Sequence, residues 1–270
     1  MGPIDSRQSI SFDHAADFYD ETRALPPEVA SRLTEALLRE IEGVADGAVL
    51  EVGVGTGRIA RPLAERGVRV CGVDIAPRML DRLRQQLTPR HLPPDLLLAD
   101  ATRLPLATAR FRAIIICHVL HLVSDWRAAI DEMLRVLAPG GVLLHVVDER
   151  QRDDWRAALK LLEGLLRERG FVPSHRLQNE EINAALAAAG GRCRTKTIAE
   201  RQERFTPAQT LELARRRIHS WTWEIPAPLL EACLREVELR VAAGAFGGLD
   251  APLTGIVAYR LQVWSFPPDR

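Results

Sequence analysis

Two hydrophobic periods alternate along the first 150 residues. Val49, Leu50 and Val52 read as a buried strand, followed by Gly53, Gly55 and Gly57 at alternate positions. Ile59, Ala60, Leu63 and Ala64 then recur at helical spacing, and Gly67 ends that run. Upstream, beyond Pro26 and Pro27, the stripe Val29, Leu33, Leu37 and Ile41 predicts a helix stopping at Gly43. Downstream, Val68 to Val73 form a second strand ending at Asp74. Pro77 opens a helix whose apolar face is Met79, Leu80, Leu83 and Leu87. A third apolar run, Leu96 to Ala99, ends at Asp100. A fourth, Ala113 to Cys117, leads into His118 and His121. Asp125 caps a helix carrying Ile130, Met133, Leu134 and Leu137, and Gly141 to Val147 form a fifth strand.

The pattern is looser beyond residue 150. Residues 153–169 predict a helix, Asn179 caps another that ends at Gly190, and residues 192–204 look like an exposed strand. Residues 207–220 and 228–243 read as two helices, and the triple Arg215-Arg-Arg217 as a solvated helix face. Gly255 to Phe266 alternate, with Val257, Tyr259, Leu261 and Val263 on one face. Repeated strand–helix alternation implies an α/β fold with a mostly parallel sheet and helices on both faces. The expected organisation is a single domain over residues 1–270, with N-terminal helices over 1–45 and a helical insertion over 205–245 as a small cap above the ligand cleft.

Composition narrows the partners. Lys+Arg and Asp+Glu both number 36, so the net charge is zero and there is no electrostatic footprint for nucleic acid or an anionic membrane. No apolar run approaches the roughly 20 residues of a membrane span. Met-Gly-Pro-Ile-Asp-Ser-Arg lacks the apolar centre of a signal peptide. Cys71, Cys117, Cys193 and Cys233 are scattered without zinc spacing, which points to reduced thiols, a cytoplasmic protein and no metal.

The chemistry gathers around residues 49–60. A glycine turn between strand and helix lies at the carboxyl edge of an open parallel sheet, where ligands bind. A dinucleotide fingerprint spaces its glycines G-x-G-x-x-G. Here the third glycine comes one residue early, and Arg58 stands where that pattern wants glycine. Asp74 lies about 20 residues past the first glycine, the place of an acid that accepts hydrogen bonds from ribose hydroxyls.

Glu51-x-Gly53-x-Gly55-x-Gly57, followed in order by Asp74, Asp100 and Leu134-Arg-Val-Leu-Ala-Pro-Gly-Gly141, resembles the class I S-adenosylmethionine-dependent methyltransferases. Within them it is similar to the methyltransferase type 11 group, which includes the ubiquinone and menaquinone C-methyltransferases. The likeness covers about residues 10–148. It implies a Rossmann-like sheet of seven strands with the last inserted antiparallel. It also implies S-adenosylmethionine as cofactor and S-adenosylhomocysteine as product. Cofactor contacts are expected from Tyr19, Arg23, Glu51, Gly53, Gly55, Thr56, Gly57, Asp74, Ile75, Met79, Asp100, Ala101 and Cys117.

Tyr19 and Arg23 are four apart and share one face of a helix. Arg23 has a planar fork that clamps a carboxylate with two hydrogen bonds, or it is a solvated arginine on an amphipathic helix. His91-Leu-Pro-Pro-Asp95 reads as a loop. It is not the Asn/Asp-Pro-Pro-aromatic signature of amino-group methyltransferases, which belongs after the fourth strand. No Pro-Cys pair marks Cys117 as a nucleophile, and a small buried thiol fits it better.

His118 and His121 are the candidates for a general base, or else ordinary polar loop residues. Trp221 and Trp223, with Tyr19 and His121, are candidates for the wall of an apolar acceptor pocket, or simply anchor the cap. The expected function is in-line transfer of a methyl group from S-adenosylmethionine to a small-molecule acceptor. The alternatives are a non-catalytic S-adenosylmethionine-binding protein and an NAD(P)-dependent oxidoreductase.

Overall fold

A computed structural model describes residues 9–17, 19–42, 48–87, 95–172 and 177–267. Gly43, which was to end the first long helix, and the His91-Leu-Pro-Pro portion of the proposed loop lie outside the described residues. Seven strands hydrogen-bond in the order β3-β2-β1-β4-β5-β7-β6. They are β1 (Val49–Val52), β2 (Val70–Asp74), β3 (Asp95–Leu98), β4 (Phe111–Cys117), β5 (Leu137–Asp153), β6 (Arg192–Phe205) and β7 (Leu253–Ser265). The β1–β2, β1–β4, β2–β3 and β4–β5 pairs are parallel, and the chain's last strand, β7, is inserted antiparallel between β5 and β6.

The chain divides into two compact units, one holding residues 6–147, 177–199 and 259–270 and the other holding 148–176 and 200–258. In the first unit, period-two alternation sends successive strand residues to opposite faces. Leu50, Val52, Cys71, Val73, Ile114 and Ile116 pack with α5 (Trp126–Val136) and α7 (Asn179–Ala188) through Ile130, Met133, Ile182 and Leu186. Val49, Val70, Ala113, Ile115 and Leu144 pack on the other face with α2 (Pro27–Glu42), α3 (Ala60–Ala64) and α4 (Pro77–Gln86) through Leu33, Leu37, Leu63, Leu80 and Leu83. Burial of β1 on both faces explains why it reads as an almost unbroken apolar run.

Local chemistry sets the helix ends. Asp125 Oδ1 accepts from Ala128 N at 3.0 Å, the expected cap of α5. The cap of α7 falls one residue earlier than expected. Gln178 occupies it and forms a reciprocal capping box with Glu181, so Asn179 is the first helical residue. β5 begins at Leu137 and runs past Val147, longer on both sides than the apolar run, because backbone pairing extends a strand beyond its buried part.

The second unit is a helical cluster larger than the expected 205–245 insertion. It takes in α6 (Ala157–Glu168) as well as α8 (Pro207–Arg215) and α9 (Ala227–Ala242), which share a core of Leu159, Leu162, Leu211, Leu234 and Val237. The arginine triple is not one solvated face. Arg215 lies 2.7 Å from Glu238 and 3.5 Å from Glu231, tying α8 to α9. Arg217 donates to the carbonyls of Thr222 at 2.7 Å and Ile225 at 2.8 Å, and only Arg216 of the three is exposed. Trp223 is buried, and its indole N–H donates to the Arg217 carbonyl at 2.6 Å. Trp223→Ala removes that packing and leaves the carbonyl short of a donor. We expect a loss of about 3–5 kcal/mol, read from the denaturant midpoint.

Candidate functional site

The site grows from the joint between β1 and β2. Val52 pairs with Val73, and beyond that register Gly53 N and Val54 N both donate to the Val73 carbonyl, at 2.8 and 3.0 Å. The chain must then turn sharply, and Gly53, Gly55 and Gly57 all adopt positive φ, 74°, 53° and 82°. Space adds to the demand at two of them. A Cβ on Gly53 would lie 2.5 Å from Val119, and one on Gly57 would lie 2.3 Å from Leu83. At Gly55 a Cβ meets no described atom within 4 Å, so bare backbone faces open space there.

Asp74 closes the turn from the end of β2. Its Oδ2 accepts from Gly55 N at 2.8 Å and its Oδ1 from Ala76 N at 2.9 Å. Burial raises its pKa, and these backbone donors oppose the rise. The Ile75 amide also faces this carboxylate, so three of its four acceptor sites are engaged and one remains for a ligand hydroxyl. Asp100, at the end of β3, accepts on Oδ1 from Thr102 N at 2.8 Å and Thr102 Oγ1 at 2.9 Å, which leaves Oδ2 outside these two bonds.

One cleft collects Tyr19, Gly53, Gly55, Asp74, Ile75, Met79, Asp100, Ala101, Cys117 and His118. Its open space is about 650 Å³, mouth included. Ser9, Ile10, Phe12, Val119, Leu122 and Val123 also line it, and no motif had marked them. Val119 carried one signal, since it follows His118 directly, and Gly53 lacks a Cβ where Val119 packs. Ile10 and Phe12 reach the cleft only because the N-terminal segment crosses the fold, with Ile10 N donating to the Leu122 carbonyl at 2.7 Å.

The remaining expected residues stand elsewhere. Thr56 is buried and donates to Asp20 Oδ1 at 2.5 Å, and Gly57 serves packing against Leu83. Arg23 offers its backbone carbonyl to Arg58 Nη1 at 2.8 Å and does not line the cleft. Glu51 lies behind the turn, fully buried, with Oε2 lacking any hydrogen-bond partner among the described residues. Burial pushes its pKa well up, the Cys117 thiol adds to this, and the charge of Arg58 works against it. His121 is exposed in a short 3-10 turn, Leu120–Leu122, outside the cleft lining. Trp221 and Trp223 belong to the second unit, and Tyr19 and His121 to the first.

Arg58, which the sequence marks only as a misfit to the dinucleotide pattern, is central to the first unit. Its Nη2 approaches Cys117 Sγ at 3.1 Å. Burial pulls its pKa down, but Cys117, Tyr19 and Glu51 raise it further, so the guanidinium stays charged. His118, at the end of β4, has φ 52°, a left-handed conformation costly for a residue with a Cβ. Behind it His145 is buried and hydrogen-bonded to Gln262 Oε1 at 3.2 Å. Burial, and then the charge of His118, lower the His145 pKa to about 4.

Bare backbone at Gly55 beside the Asp74 carboxylate, with Asp100 across the same cleft, fits a nucleoside cofactor. Seven strands in this order around such a turn define the class I methyltransferase fold. A methyltransferase-domain family model matches residues 50–145. A malonyl-[acyl-carrier protein] O-methyltransferase from Serratia marcescens is 33% identical over 208 residues, 76% of this chain and 72% of that protein. The chain therefore belongs to the S-adenosylmethionine-dependent methyltransferases.

A demethylmenaquinone methyltransferase from Thermus thermophilus is 40% identical over 98 residues, but these cover 36% of this chain and 44% of that protein. Among solved structures, a phosphoethanolamine N-methyltransferase of Haemonchus contortus with S-adenosylhomocysteine superposes with TM-score 0.54 at 17% identity, covering 94% of this chain and 57% of that one. That likeness is one of fold. The cofactor is S-adenosylmethionine, and the dinucleotide alternative is set aside.

Two measurements follow. Asp74→Ala should weaken S-adenosylmethionine binding by about 1.5–3 kcal/mol in calorimetry, and should also lower stability, because Gly55 N and Ala76 N lose their acceptor. His145 has its folded pKa, about 4, below its ordinary 6.5. The unfolded state therefore binds the extra proton between those values. The associated stability is complete above pH 6.5 and falls by up to about 3 kcal/mol as pH drops to 4. His145→Gln should flatten that part of a pH–stability curve.

Proposed function

We propose that this methyltransferase acts on a small-molecule acceptor, with the cofactor held over Gly53 and Gly55. The observation that carries this reading is that one cleft brings together the glycine turn, Asp74, Asp100 and His118. When bound, S-adenosylmethionine supplies a methyl group activated by its sulfonium centre. In this reading the chain's own residues bind, orient and exclude water. Asp74 accepts from the ribose hydroxyls, Asp100 and Ala101 hold the base, and Ile75 and Met79 cover its faces. Tyr19 closes the opposite side.

His118 is proposed as the general base, removing a proton from the acceptor as its nucleophilic atom is methylated. Its place in the cleft lining supports this, and so does its strained backbone, which aims a side chain that a relaxed conformation would aim elsewhere. The zero net charge supports a small acceptor over nucleic acid. The similarity to a malonyl-[acyl-carrier protein] O-methyltransferase and to a demethylmenaquinone methyltransferase agrees with an acceptor of modest size at the reacting end.

The test is incubation of the chain with isotope-labelled S-adenosylmethionine and a metabolite extract, read by mass spectrometry. A labelled small product together with S-adenosylhomocysteine is expected. Label found only on a carrier protein would replace the small-molecule reading. Tight cofactor binding without any transfer would favour the non-catalytic one. With an acceptor in hand, His118→Gln should lower kcat by about 10²-fold or more while cofactor affinity holds, and an unchanged kcat would remove the base.

A further inference from the structure

The helix that carries Tyr19, α1 (Tyr19–Arg23), has five residues and none of them is buried. So short a helix does not hold itself in water. Tyr19 gains an edge-on contact with Phe12 at 5.7 Å, but both rings are only partly covered. The firm attachments are polar and sit at both ends. Asp20 uses both carboxylate oxygens, accepting from Thr56 Oγ1 at 2.5 Å and from Gln86 Nε2 at 2.7 Å. Gln86 is itself fixed, since its Oε1 accepts from Arg61 Nη1 at 2.6 Å. At the other end, Arg58 Nη1 donates to the Arg23 carbonyl.

Thr56 stands between Gly55 and Gly57. The hydroxyl that grips Asp20 is thus part of the turn that faces the cleft, and it is buried. A hydrogen bond to an ionised acceptor is stronger than a neutral one and fixes direction as well as distance. We propose that Asp20 is a positioning residue. Its carboxylate latches α1 to the glycine turn, so that Tyr19 roofs the cofactor cleft and opening of this latch sets the rate of cofactor release. Without the Asp20 carboxylate, α1 loses its hold on both Thr56 and Gln86. The Thr56 hydroxyl then has no reason to keep its orientation. The inference rests on the reading of this cleft as the cofactor site.

The experiment uses the full chain with S-adenosylhomocysteine as probe. Asp20→Ala should raise its dissociation rate and Kd about tenfold in stopped-flow and calorimetry, with a smaller drop in the melting temperature of the ligand-free protein because the buried Thr56 hydroxyl loses its acceptor. Thr56→Val, which leaves the Gln86 bond in place, should raise the rate in the same direction but by less, and Thr56→Ser should restore the wild-type rate. The double variant Asp20→Ala/Thr56→Val should be no worse than Asp20→Ala alone, since that single already breaks the Thr56 bond. Unchanged release in Asp20→Ala, or losses that add in the double, would overturn the latch. If Asp20→Ala does not fold, the Thr56→Val and Thr56→Ser pair decides by the same rates.

Hydrogen exchange without ligand separates this from the cofactor reading. Ala24 N donates to the Asp20 carbonyl at 3.2 Å, and that amide should exchange faster in Asp20→Ala. A wild-type chain that binds no S-adenosylhomocysteine would defeat the cofactor reading, while an unchanged exchange rate would defeat the latch.

Discussion

The Asp74 carboxylate bonds two backbone amides, one on the glycine turn after β1 and one at the start of α4. The cleft depends on that double bond. Gly55 must keep positive φ and bare backbone to admit a ligand, and an amide in that position has no partner within its own loop. A carboxylate reaching across from the adjacent strand satisfies it. The same group therefore holds the turn in shape and, in the proposed function, accepts from the cofactor's ribose. Parallel pairing of β1 with β2 in a fixed register brings the two strand ends level, which makes this reach possible.

A second set of contacts surrounds the charge of Arg58. A buried guanidinium needs acceptors, and it finds the Arg23 carbonyl and the Cys117 sulfur, with Glu51 close enough to matter electrostatically. Arginine at the third-glycine position of the dinucleotide pattern thus has a positive use. It links the helix before the first long element, the turn after β1 and the end of β4. Cys117 is a small buried thiol with a defined neighbour, as its apolar surroundings in the sequence imply, and it also lines the cleft.

Much of the first unit was legible because its elements are long, periodic and buried. β1, β2 and β4 announce themselves through apolar runs, and Asp125 and Gly67 through local chemistry that acts over a few residues. The second unit was read less well. Arg215 looked solvated because sequence periodicity cannot see Glu231 and Glu238 on the facing helix. α6 was not grouped with α8 and α9 because the segment that separates it from them contains β6 and α7 of the sheet.

The division in the site has the same cause. The sequence alone determined the glycine turn, the acid Asp74 about 20 residues past its first glycine, and the carboxyl-edge location of the turn, because each follows from local spacing and the handedness of strand–helix units. Tertiary structure alone decided that Asp20 meets Thr56 across 36 residues, that Arg58 meets Cys117 across 59, and that His118 but not His121 lines the cleft. Side-chain contacts over such separations depend on how α1 and β4 pack around the turn. That packing is the sum of many small apolar and polar terms, none of which leaves a period in the chain.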